Sequence, residues 1–136
     1  EDKTSGDVHF ALSRGDISPE RETLVRVHEP ISVVDFLDSS SKRHSFPVNE
    51  ALASLAAADA GVIVLLYRPM SGRELLASLN GTQDHPAKWD PRLFGVGAQI
   101  LLDLGVRDMV LLSNSATVLP ASAGYGLKIV GRLPLE

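Results

Sequence analysis

A nearly uninterrupted apolar stretch with its own start and stop signals constrains this chain most. Residues 89–114 read WDPRLFGVGAQILLDLGVRDMVLLSN. Asp90 is a favourable N-cap, and Pro91 suits the first helical position, where a missing N–H costs nothing. Residues 92–104 are then dominated by apolar side chains and glycine, with polar groups only at Arg92, Gln99 and Asp103. Those three are spaced by seven and four, so they share one stripe. A helix with a single polar stripe buries most of its surface. Gly105 follows as a residue able to end the helix at positive φ. Residues 109–112 are apolar and long enough only for a buried strand. The pattern predicts a core helix feeding a core strand, with Asp90 and Arg92 at the helix mouth. A phosphate-bearing ligand suits that end, because free N–H groups and the helix dipole favour an anion there.

The chain has 136 residues, which fits one domain with a real core. Its net charge of -4 argues against a nucleic-acid surface, which needs a basic excess. No apolar run approaches the roughly 20 residues of a membrane span, and the N-terminus has no signal-peptide pattern. A cytoplasmic location is the expectation by elimination. There is no cysteine, so disulfides and thiolate metal sites are excluded. The first residue is Glu1, which fits a piece of a longer protein.

The remaining chain falls into alternating elements. Residues 1–6 are polar and read as a frayed end. Residues 7–14 (DVHFALSR) alternate as a half-buried strand does. Residues 15–19 (GDISP) are turn chemistry. Residues 22–28 (ETLVRVH) read as a second strand, with Leu24, Arg26 and His28 on one face and Thr23, Val25 and Val27 on the other. Together these suggest an antiparallel N-terminal strand pair. Residues 31–37 are apolar enough to pack, and 39–45 (SSSKRHS) read as a loop. An alanine-rich helix is expected over 47–60, ended by Gly61. Residues 62–67 (VIVLLY) have the signature of a strand covered on both faces. Ser71-Gly72-Arg73-Glu74 fits a capping box opening a short helix through Leu79. Residues 81–88 and 115–124 read as connections, and 127–133 as a last strand closed by Pro134. Two helix–glycine–strand units therefore recur. The expected fold class is α/β: a mixed β-sheet flanked by helices, with right-handed crossovers between the parallel strands.

The central segment resembles GTP cyclohydrolase II, the family that opens GTP in riboflavin synthesis. That family carries a stretch close to A-D-x-R-D-Y-G-I-G-A-Q-I-L-x-D-L-G-V. Here it stands as Trp89-Asp90-Pro91-Arg92-Leu93-Phe94-Gly95-Val96-Gly97-Ala98-Gln99-Ile100-Leu101, continuing to Val106. Other pieces follow in the family's order. Gly15-Asp16-Ile17 resembles its first turn, and Val25-Arg26-Val27-His28 its RVH motif. Gly124-Tyr125-Gly126-Leu127, Ile129-Val130 and Arg132-Leu133-Pro134-Leu135 resemble its closing GYGLEIVERVPL.

The resemblance implies a zinc-activated water that attacks the purine ring, with the metal held by three cysteines. Ile31 stands at the first of those positions, and the other two fall within Lys42-Arg43-His44. The family's nucleotide-binding motif matches at Arg68, Gly72 and Arg73, but its glutamate becomes Met70 and its following glycine Glu74. The family's acid tyrosine falls in the shortened segment 77–89, which has none, and its phosphate-contacting lysine becomes Val118. Ser113 stands at the start of the family's TNNP motif. Arg92 matches the arginine proposed as nucleophile toward the α-phosphate, and Asp90 its neighbouring carboxylate. Both also have a structural role open to them, as cap and cap partner.

These readings give a catalytically degenerate GTP cyclohydrolase II-like domain over residues 1–136, the C-terminal part of a longer riboflavin-biosynthesis protein. Its role would be that of a structural or regulatory module for an attached 3,4-dihydroxy-2-butanone 4-phosphate synthase, in a homodimer. Asp90 and Arg92 are its vestigial catalytic candidates, and Arg68, Gly72, Arg73 and Ser113 its nucleotide-binding ones. No metal ligand set and no cofactor are expected. The alternative is a working GTP or nucleotide hydrolase whose metal site is rebuilt from His28, His44, Asp35 and Asp38. A third reading is a sensor that holds a phosphate ligand such as GTP on Arg68, Arg73 and Arg92 without turning it over.

Overall fold

The computed structural model describes residues 1–31, 46–67, 71–80, 91–114 and 126–134, with the backbone alone for 29–31, 78 and 91–93. Its elements in chain order are β1 (Phe10–Arg14), β2 (Thr23–Ile31), α1 (Val48–Ala57), β3 (Gly61–Tyr67), α2 (Gly72–Leu79), α3 (Pro91–Asp103), β4 (Asp108–Leu112) and β5 (Lys128–Leu133). The strands form one sheet in the order β1-β3-β2-β4-β5. β1 runs antiparallel to β3, and β3, β2, β4 and β5 are mutually parallel neighbours. The mixed sheet flanked by helices is as the sequence suggests.

The alternation of side chains explains why both faces are covered. Val62, Val64 and Leu66 of β3 join Val25, Met109 and Leu111 under Phe94, Ala98 and Leu101 of α3. Ile63 and Leu65 point the other way, to Val48, Ala51 and Leu55 of α1, together with Phe46 and Leu112. β2 alternates as its sequence requires: Val25 and Val27 lie on the α3 side and Leu24 on the α1 side. Connection β2–α1–β3 moves one way across the sheet and β3–α3–β4 the other. Two crossovers of one hand that move in opposite directions must lie on opposite faces, and these do.

The pairing of β1 departs from expectation. The sequence suggests β1 beside β2, whereas β1 pairs with β3: Phe10 lies opposite Leu65 and Leu12 opposite Ile63. The cause lies in β3, whose residues 62–66 are all buried. A strand apolar on both faces belongs in the interior of a sheet, so β3 takes β1 on one side and β2 on the other.

Element ends also shift. α1 stops at Ala57, with the Ala58 N–H donating to Leu55 O at 3.1 Å, and Gly61 begins β3 instead of ending the helix. α3 closes as its sequence implies. Gly105 has φ +94°, its N–H donates to Leu102 O at 3.0 Å, and the Val106 N–H donates to Leu101 O at 3.0 Å. That pair of bonds is the Schellman ending. The Arg107 guanidinium adds a bond to Leu102 O at 3.2 Å. Gln99 and Asp103 are exposed, as the single polar stripe requires. Residues 1–6 are not a frayed end, because hydrogen bonds close residues 2–7 into a turn. The readings for 39–45, 81–88 and 115–124, and all but the first residue of 31–37, lie outside the described residues.

Candidate functional site at the carboxyl edge of the parallel strands

In open α/β sheets ligands bind beyond the carboxyl ends of the strands, where the winding reverses. Here the reversal lies between β2 and β4, because β2 leads outward to β3 and the chain then returns to β4 on the far side. The ends of β2, β3, β4 and β5 share that edge. α3 points its N-terminus there as well. A Cβ on Gly97 would sit 3.3 Å from Val27 and 3.8 Å from Leu66, near the carboxyl ends of β2 and β3, whereas Gly105 approaches Ile17 O at the opposite edge.

Arg26 occupies the reversal itself. It lies on the α1 side of β2, on the face predicted for it. Its Nη1 donates to Leu112 O at 3.2 Å and its Nη2 to Phe46 O at 3.0 Å. The guanidinium also lies over the Phe46 ring, 5.4 Å from the centroid, within cation–π range. The first carbonyl ends β4, so the side chain spans the gap between the two strands. Burial pushes the guanidinium down to about 10, because the charged form loses hydration. Among the described residues Nε is buried with no hydrogen-bond partner. A desolvated cation held by neutral carbonyls has unspent capacity for an anion. His28, two residues along the same face, is fully buried.

The expected site residues are distributed as follows. Ser113 directly follows β4; it is part-buried and its N–H donates to Leu133 O at 3.1 Å, tying β4 to β5. Gly72 and Arg73 open α2 and are exposed. Arg92 lies in the first turn of α3 by its backbone, and its side chain lies outside the described residues, as do Asp90 and Arg68. The structure therefore places Ser113 at the same edge as Arg26. In the sequence Arg26 is legible only as a strand-face residue and a motif match. The available signal was a cation on a strand face otherwise shared with Leu24 and His28.

The start of α2 is already filled. The Ser71 N–H donates to Glu74 Oε2 at 2.7 Å, and the Glu74 N–H donates to Ser71 Oγ at 3.2 Å. This is the expected capping box, and it sets a carboxylate where a phosphate would otherwise sit. Ser71→Ala should weaken this helix by about 1 kcal/mol. Faster amide exchange confined to α2 would be the reading; unchanged exchange would show that the box carries no stability.

Among the described residues no three His, Cys, Asp or Glu side chains gather as a metal site. The residues suggested as partners for His28, namely His44, Asp35 and Asp38, lie outside them. The zinc that the family resemblance implies needs three thiolates, and a chain without cysteine does not supply that donor set. No helix among the described residues is long and apolar enough to cross a membrane.

Residues 1–134 match the family model for GTP cyclohydrolase II, and the chain belongs to that family. Its relatives include the 3,4-dihydroxy-2-butanone 4-phosphate synthase of Neisseria meningitidis serogroup A, 41% identical over 96% of this chain and 36% of that protein. The synthase of the same name from Pseudomonas aeruginosa is 36% identical over 99% of this chain and 38% of its own length. The riboflavin biosynthesis protein RibBA of Chlorobium phaeovibrioides is 34% identical over 94% and 34%. The chain thus spans about a third of the length of each of these three relatives, and it is a GTP cyclohydrolase II-like domain of the riboflavin-biosynthesis group.

Proposed function

We propose that this chain is a GTP cyclohydrolase II-like module that has lost the ring-opening reaction and serves a longer riboflavin-biosynthesis protein as a structural or regulatory unit. The observation that carries this reading is the absence of cysteine from all 136 residues. Without thiolates the family's zinc has no ligand set, and no other part of the chain among the described residues replaces it. Glu74, locked into the start of α2, adds a second obstacle by placing negative charge where a nucleotide phosphate would approach. Relatives named 3,4-dihydroxy-2-butanone 4-phosphate synthase support an attached synthase as the unit that this module serves. The assembly would be a homodimer.

Assay of the longer protein decides the matter. It should release no formate from GTP, with or without added zinc, while making the dihydroxybutanone phosphate. Removing residues 1–136 should change the synthase's assembly or its response to ligands. Sustained GTP turnover with one zinc bound per chain would overturn the reading in favour of the rebuilt hydrolase.

Arg26 favours a second reading, in which the pocket still holds a phosphate ligand such as GTP. On that reading calorimetry detects micromolar binding, and Arg26→Met weakens it by about tenfold or more, the size of one charge-assisted hydrogen bond. Equal affinity in Arg26→Met would remove Arg26 from the pocket.

A further inference from the structure

The carboxyl end of β3 is held by a side chain. β1 pairs with β3 from Arg14 opposite Gly61 to Phe10 opposite Leu65, so Tyr67 lies beyond the last of these pairs. Its backbone N–H donates instead to His9 Nδ1, at 3.0 Å. A ring nitrogen thus plays the acceptor's part that strand carbonyls play along a ladder. Tyr67 is also the residue paired with Ile31 of β2. The bond therefore ties the residue just before β1 to the edge at which β2 and β3 end, which is the edge of the candidate site.

Nδ1 accepts a hydrogen bond only without a proton of its own, so the neutral ring carries its proton on Nε2. Nε2 is buried, and among the described residues it has no hydrogen-bond partner. An added proton therefore goes to Nδ1, the atom that holds Tyr67. Two N–H groups would then face each other, and attraction would turn to repulsion. The charge so acquired has a counter-ion in the turn before β1. The Asp2 N–H donates to Asp7 O at 2.8 Å, the Gly6 N–H to Asp2 O at 2.7 Å and the Thr4 N–H to Asp2 Oδ1 at 2.8 Å, which fixes the Asp2 carboxyl in place. That carboxyl is held below its ordinary range, first by the Thr4 N–H and to a smaller extent by Ser5 and by attraction to a charged His9. Among the described residues, the turn brings Asp2 to the ring and β3 brings Tyr67.

We propose that His9 is a pH-sensitive latch on the carboxyl end of β3. The neutral ring accepts the Tyr67 N–H and closes the strand end. The protonated ring gives up that bond for the Asp2 carboxylate, and the end of β3 opens at the edge of the candidate site. The sign follows from the proton on Nδ1: the latch is closed at higher pH and is lost as pH falls. Histidine is the side chain whose charge ordinarily changes between about pH 5 and pH 8, so the device works in a physiological range. It involves no step of the family's chemistry, and its failure leaves the loss-of-catalysis reading untouched.

Hydrogen exchange read at single amides in the longer protein tests the latch. Corrected for the intrinsic pH dependence of exchange, protection of the Tyr67 amide should fall at least about tenfold between roughly pH 8 and pH 5, while that of Val64, inside β3, stays level. His9→Asn keeps an acceptor oxygen near the position of Nδ1 and does not titrate, so Tyr67 should stay protected throughout. Asp2→Asn still accepts the Thr4 N–H and keeps the turn, but it removes the counter-charge, so the loss should move to lower pH. Level protection of Tyr67 in the unaltered protein would overturn the proposal, whatever the variants do. A fall that persists in His9→Asn would overturn it as well, and a fall unmoved by Asp2→Asn would overturn the part given to Asp2.

Discussion

Gly15→Ala should remove about 3 kcal/mol or more of stability and leave the chain largely unfolded at 37 °C. Two effects add. Gly15 has φ +74°, a conformation that costs an alanine about 1 kcal/mol. In addition, the new Cβ would lie 1.9 Å from Asp59 O and 2.9 Å from its carbonyl carbon. Both atoms are backbone, in the short connection between α1 and β3, and neither can rotate away. Relief requires the turn after β1 or the end of α1 to move, which would disturb the Arg14 Nε bond to Ala58 O. Gly72→Ala provides the control, since its Cβ would meet nothing within 4 Å. Urea midpoints for the two variants should differ widely. Equal midpoints would mean that the turn adapts and the close approach is unimportant.

Phe46→Ala is expected to cost about 3–5 kcal/mol, the range for emptying an aromatic site in a core. Phe46 is 1% exposed and packs with Val48, Ala51, Leu55 and Leu112. Its ring also shields the Arg26 guanidinium, so the same change should admit water to the β2–β4 reversal. Phe46→Leu should lose less, because it keeps apolar volume and gives up only the ring face. Urea unfolding measures the first effect. If Phe46→Ala lost under 1 kcal/mol, the α1-side core would not depend on this residue.

Much of the architecture is written in local signals. Residues 62–67 could only be an interior strand, and they are; the capping box at Ser71 and Glu74 forms with both of its reciprocal bonds. The single polar stripe and Gly105 defined α3 to within a residue at each end. What stayed hidden was long-range choice. Nothing local told β1 to pair with β3, because the partner was decided by the demand of β3 for two neighbours. The turn over residues 2–7 looked like a loose polar end, since its order comes from side-chain oxygens bonding nearby N–H groups and not from burial. Arg26 was legible as a position on a face, but its reach to Leu112 O depends on a strand 86 residues away. Resemblance supplied the family, and composition alone supplied the missing thiolates.

The order of the sheet also has a temporal side. β2 pairs with β3 after a short crossover, but its other edge waits for β4, with Thr23 meeting Met109 and Leu24 meeting Val110. Pairings so distant in sequence close late, because the intervening chain must first surrender its freedom. During synthesis, which runs from the N-terminus, the 23–67 unit emerges before Asp108 exists. A ribosome stalled in that interval would present β2 with one bare edge, rich in Leu24, Val25 and Val27 and open to any passing strand. Slowing translation between Tyr67 and Leu112 should therefore raise this chain's aggregation more than slowing it anywhere later.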